Sequence, residues 1–200
     1  MALYFVTGNA GKFREIKAIL PQIEQLDLDL DEIQSLDPQV VIEHKLAQAA
    51  AHHDGEFIVE DTSVIYNCLN GLPGTLNKWF MQQLGVEGLA DLVHRYDDHS
   101  AVARATIGYR DSAGQDHYFV GEVKGTIVKP RGTVETFGWN PIFQPDGETR
   151  TFAEMTIAEK NALSMRGYGG SPARRPSPGV SFVHYQPALI SDIIESEFVG

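Results

Sequence analysis

The sequence predicts an α/β fold, a long mixed twisted sheet with helices flanking it, and three observations carry the prediction. An apolar run from Leu3 to Val6 gives way at Thr7-Gly8-Asn9 to apolar residues at helical spacing. A second helical stretch then leads back to an apolar run at Phe57-Ile58-Val59, and residues 101–128 turn to the texture of a β-hairpin. Strand and helix in alternation, then a hairpin and a further helix, is the order of a mixed sheet covered by helices.

Leu3 to Val6 reads as a buried strand, Thr7-Gly8-Asn9 as a turn, and Phe13, Ile16, Ile19 and Leu20 as one face of the helix that follows. Residues 40–53, with Val40, Val41, Leu46, Ala47, Ala49, Ala50 and Ala51, are good helix material. Phe57-Ile58-Val59 restores a strand, which is expected to stop at Glu60-Asp61. Two helices are expected over Asn77 to Leu84 and Val86 to Tyr96. Thr106, Ile107 and Tyr109, the turn Asp111-Ser112-Ala113-Gly114, and Tyr118, Val120, Val123 and Ile127 make the hairpin. Thr156 with Glu159 forms a capping-box pattern that opens a helix through about Arg166. Residues 167–179, rich in Gly and Pro, offer little to bury and predict a flexible segment, with a last helix over about Ala188 to Phe198.

At 200 residues and 42% hydrophobic content, the chain suffices for one domain over residues 1–200, built as a single core or as two lobes around a cleft. A net charge of −11, without a basic stripe, argues against nucleic acid and anionic membrane as partners. It does not exclude a phosphate ligand, because a divalent cation between carboxylates and a polyphosphate reverses the local field. Cys68 is the only cysteine and suits a reducing compartment, the cytoplasm. The apolar N-terminus meets Gly8, Asn9 and Lys12 too soon for a secretory signal.

Four motifs carry candidate chemistry. Thr7-Gly8-Asn9-Ala10-Gly11-Lys12 lies where a strand feeds a helix, and free N–H groups there hold phosphate well. It lacks the spacing of a Walker loop, and the pattern fits phosphate binding and an ordinary glycine turn equally. Glu60-Asp61-Thr62 offers oxygen ligands at a strand end, where magnesium could bind, although a solvated turn is the commoner use of such a pair. The acidic run Asp27, Asp29, Asp31 and Glu32 could add a ligand. Phe137-Gly138-Trp139-Asn140-Pro141 could stack on a base, while a pair of core anchors beneath a turn is the simpler reading. Lys160 and Ser164 share a helix face near Arg166, although such cations are usually solvated. The seven histidines, His52-His53 included, show no ligand spacing.

Taken together and in this order, the motifs resemble the inosine triphosphate pyrophosphatase family, which acts on non-standard purine nucleotides. The likeness runs from about Leu3 to Arg166 and includes Asp29-Leu30-Asp31-Glu32, Gly71-Leu72-Pro73-Gly74, Lys78-Trp79-Phe80 and Phe143-Gln144-Pro145-Asp146-Gly147. The resemblance implies a two-lobed α/β homodimer that uses Mg²⁺, with Mn²⁺ as a substitute, to split inosine and xanthosine triphosphates and their deoxy forms into monophosphate and pyrophosphate. By motif position, Thr7, Gly8, Asn9, Lys12, Lys45 and Lys78 would hold the triphosphate. Glu32 and Asp61 would bind the metal. Asp61, Lys12 and Lys45 would act on the reacting phosphate, and Phe137, Gly138, Trp139, Asn140, Lys160, Met165 and Arg166 would surround the base. Two positions depart from the family pattern, Asn140 for Asp and Met165 for His. They leave open an enzyme of relaxed base choice, or a nucleotide-binding protein whose catalysis has faded.

Overall fold

The computed structural model describes residues 2–133 and 138–166. Phe137, the 167–179 segment and the expected last helix lie outside the described residues. One seven-stranded mixed sheet organises them, in the order β2-β1-β3-β5-β6-β7, with β4 pairing β3. The strands are β1 Tyr4–Val6, β2 Glu24–Leu26, β3 Phe57–Tyr66, β4 Pro73–Gly74, β5 Ser100–Arg110, β6 Asp116–Ile127 and β7 Phe143–Pro145. Around them stand helices α1 Ala10–Ile19, α2 Pro38–His52, α3 Asn77–Val93 and α4 Ile157–Leu163. β1 runs parallel to β2 and β3, and everything from β3 to β7 is antiparallel.

The caps are local chemistry. Asn9 caps α1 by accepting the Lys12 N–H, and Asp37 caps α2 with Pro38 following it. The capping box expected at Thr156 and Glu159 is formed, but α4 ends at Leu163, three residues short of Arg166. The two helices expected on either side of Gly85 form one element with a break there, since Gly85 takes φ +68°, outside the helical region. It ends at Val93 rather than Tyr96.

β3 does not stop at Glu60-Asp61. It runs on to Tyr66 because β5 pairs with it along its whole length, from Phe57↔Arg110 to Tyr66↔Ala101. Its other edge is paired with β1 only at Phe57 and Ile58, and with β4 only at Val64 and Ile65. Residues 59–63 therefore present an edge that no described strand covers.

Two lobes share the sheet. In the first, side-chain alternation sends Phe5 and Ile58 to the α1 face with Ile16 and Leu20, while Val6, Phe57 and Val59 meet Ile42, Leu46 and Ala49 of α2 on the other face. In the second, Val64, Tyr66, Ala103 and Val123 pack against Leu89 and Val93 of α3 and against Trp139, Phe143 and Phe152. The uncovered stretch of β3 lies at the boundary between the two lobes.

Candidate active site

A cleft of about 880 Å³ opens at that boundary, within the size range of small-molecule sites. Its walls include Thr7, Gly8, Asn9 and Lys12 from the β1–α1 turn, Asp27 to Glu32 from the loop after β2, Lys45 from α2, Glu60, Asp61 and Thr62 from β3, Lys78 from α3, and Gly138 and Trp139. The position follows from the topology, because β1 ends at Val6 and its chain turns away into α1 where β3 continues.

Alternation along β3 distributes the two carboxylates. Asp61 meets α2: Lys45 Nζ donates to Asp61 Oδ1 at 3.1 Å and to the Glu60 carbonyl at 3.2 Å. Asp61 Oδ2 is buried and has no hydrogen-bond partner among the described residues. Glu60 takes the opposite direction, with Lys12 Nζ 3.5 Å away and both carboxylate oxygens bonded by Arg166 at 2.7 and 2.6 Å. Burial alone would raise the Glu60 carboxyl, but Arg166 and then Lys12 outweigh it and hold it far below the ordinary range. Burial lowers Lys12, and Glu60 offsets this only in part.

Glu32 stands at the mouth. Lys78 donates to its Oε2 at 2.5 Å, and Lys45 is 4.0 Å from Oε1. Partial burial pulls Glu32 upward, while the hydrogen bond from Lys78 and the charges of Lys45 and Lys78 hold it below its ordinary value. Asp27, Asp29 and Asp31 line the same cleft.

Four of the expected base-pocket residues sit behind this wall. Lys160 and Arg166, read from sequence as typical of solvated helix cations, are each 4% exposed. Lys160 Nζ donates to Glu15 Oε1 at 2.6 Å and to Asn140 Oδ1 at 3.0 Å, and Arg166 also donates to Glu15 Oε2 at 2.7 Å and to Thr62 Oγ1 at 2.8 Å. Asn140 thus supplies the acceptor that an Asp would supply there. Met165 is buried in the second lobe's core, and its backbone crosses β6 at Gly121, where a Cβ would overlap the Met165 carbonyl oxygen. Trp139 is both core and wall: 3% exposed, it packs edge-on to Phe143 with ring centroids 5.3 Å apart, yet borders the cleft.

Two acids in this network hold places that the sequence did not assign: Glu60, read with Asp61 as a possible oxygen ligand, is instead the partner of Arg166, and Glu15 was not singled out at all. Glu60 sits beside Asp61, and the period-2 alternation of a strand that continued past Val59 would have sent one carboxylate to each face. Glu15 lies one helical turn beyond Lys12, but nothing local marks it as the partner of residues 160 and 166.

Parallel strands feeding helices on one side, an antiparallel extension on the other and a charged cleft where they meet define an α/β protein with its site at the strand ends. The chain belongs to the Ham1 family, whose model matches residues 3–169. It is 48% identical over 168 residues to an inosine triphosphate pyrophosphatase of Neurospora crassa, covering 81% of this chain and 85% of that one. It is 44% identical over 169 residues to the protein of that name in Batrachochytrium dendrobatidis, covering 82% and 88%. A Ham1 protein of Coxiella burnetii shares the fold at a TM-score of 0.67 and 22% identity, over 84% of this chain and 93% of that one. A nucleoside-triphosphatase described as a dITP/XTP pyrophosphatase, from Mycobacterium abscessus, does so at 0.64 and 24%, over 84% and 95%.

Proposed function

We propose that this protein hydrolyses inosine and xanthosine triphosphates and their deoxy forms to the monophosphate and pyrophosphate, removing them from the nucleotide pool. The observation that carries the proposal is the meeting of Lys12, Lys45 and Lys78 with Glu32 and Asp61 in one cleft at the end of β1. The names of the relatives support the reaction and the purine.

Mg²⁺, or Mn²⁺ in its place, would be held by Glu32 and Asp61. The buried, unpartnered Oδ2 of Asp61 is a carboxylate oxygen of the kind such ions take. Among the described residues no group of three or more His, Cys, Asp and Glu side chains could hold a metal ion. Magnesium can bind through one or two carboxylates and complete its shell with substrate phosphates and water. The ion supplies positive charge against the phosphates and the leaving pyrophosphate.

The remaining work falls to the chain's own groups. Lys12, Lys45 and Lys78 bind the triphosphate and stabilise charge that grows on its oxygens, with Thr7, Gly8 and Asn9 at the helix start beside them. Asp61 positions the water that attacks the α-phosphorus. Trp139, Gly138 and Phe137 take the base, while Asn140, Met165, Lys160 and Arg166 support that pocket from behind. The working unit is a homodimer in the cytoplasm, and light scattering at twice the 22.1 kDa chain mass tests the first part. No described helix is long and apolar enough to cross a membrane.

The deciding experiment is pyrophosphate release from inosine, xanthosine, guanosine and adenosine triphosphates with magnesium and with chelator. Fast, magnesium-dependent release from the first two alone supports the proposal. Equal release from all four would mean relaxed base choice, and none from any would leave a nucleotide-binding protein.

A further inference from the structure

We infer that Lys78 makes the cleft selective for a divalent cation already complexed to a triphosphate, over the free cation, by serving as the resident counter-ion of Glu32. The inference rests on the metal and triphosphate roles proposed above. Lys78 holds Glu32 Oε2 at 2.5 Å, and Lys45 lies 4.0 Å from the other Glu32 oxygen and 3.1 Å from Asp61 Oδ1. Both carboxylates that would take the cation are therefore neutralised in advance by the lysines that would take the phosphates.

Each ligand by itself meets resistance. A free divalent cation must approach carboxylates with ammonium groups already at contact distance, and like charges at such separations repel strongly. A free triphosphate must draw those lysines away and leave Glu32 and Asp61 unpaired beside its own negative charge. The complex brings both signs at once. Each lysine passes from carboxylate to phosphate and each carboxylate from lysine to cation, so no charge is stranded. By linkage, cation and triphosphate then raise each other's affinity by one common factor.

Among the lysines of the cleft, Lys78 is the one placed to make the exchange. It stands in the first turn of α3 with a side chain 55% exposed, opposite a Glu32 side chain 43% exposed. The Lys45 side chain is 8% exposed and also bonded to the Glu60 carbonyl. An ion pair as exposed as Lys78–Glu32 adds little to stability, so changing it leaves the fold in place.

Equilibrium dialysis of Mn²⁺, with and without α,β-methylene inosine triphosphate, tests the inference on wild type, Lys78→Met and Lys78→Arg, with thermal unfolding as the check on folding. Without nucleotide, Lys78→Met should retain Mn²⁺ about tenfold more tightly than wild type, while Lys78→Arg behaves as wild type. The gain in Mn²⁺ affinity on adding the analogue should be smaller in Lys78→Met. Unchanged or weaker nucleotide-free binding in Lys78→Met, with the analogue still recruiting Mn²⁺ to wild type, overturns the inference and leaves the proposed function standing. Failure of wild type to retain Mn²⁺ even with the analogue overturns both.

Discussion

Glu60 keeps its charge in the protein interior because Arg166 meets both of its oxygens and Thr62 donates to one of them. Glu60→Gln removes half of a buried pair and leaves the guanidinium short of an anion, a change that costs about 3 kcal/mol in denaturant unfolding. The pH dependence has a definite sign. The folded carboxyl lies far below its ordinary value of 4.5, so its stabilisation is complete above that value and is lost as pH falls below it. The stability gap between wild type and Glu60→Gln should therefore be full at neutral pH and narrow in acid below 4.5. Asp61→Asn is different in kind. It keeps an acceptor for Lys45 and removes the charge from a pair that borders the cleft, so turnover should fall about a thousandfold while the protein still folds. Wild-type turnover in that variant with magnesium would end the role proposed for Asp61. Asp61 was legible as a candidate from its place after an apolar strand. The burial of Lys160 and Arg166 was not, because an isolated helix gives no sign of what packs over it.

At the scale of elements, the turn after α4 depends on one position of β6. Gly121 lets the Met165 carbonyl come down onto the sheet, and the next residue, Arg166, is thereby aimed at Glu15 and Glu60. Gly121→Ala should destabilise the protein by about 2 kcal/mol through overpacking and lower turnover along with it. An alanine variant with unchanged unfolding midpoint and activity would show that this contact does not set the turn. The hairpin and the capping box were readable in advance, since each rests on residues within a few positions of one another. The continuation of β3 to Tyr66 was not readable, because the polar run Glu60-Asp61-Thr62-Ser63 resembles a turn until β5 is seen to pair with it. The three-residue edge strand β2, Glu24–Leu26, has no periodicity to detect.

For the molecule as a whole, the cleft lies where no described strand pairs with β3 between β1 and β4, with a lobe on either side. A ligand that bridges the lobes binds the folded state alone and stabilises it by mass action. At a hundredfold excess over its dissociation constant, that is about 2.7 kcal/mol. Magnesium together with the methylene analogue should raise the melting temperature clearly, each alone should do so less, and chelator should remove most of the shift. Equal shifts from the analogue with and without chelator would mean that no cation takes part in binding.

The sequence by itself determined the α/β class, the capping box, the hairpin and the candidate groups at Thr7 to Lys12, Glu32 and Asp61, because capping, alternation and motif spacing are written within a few residues; Lys78 came from the family resemblance. Only the tertiary structure decided that Glu60 and Arg166, 106 positions apart, share a buried ion pair, and that Glu15 meets Lys160 across 145. The reason is that burying a charge depends on which distant elements the sheet brings together, and nothing in the local run of residues records that meeting.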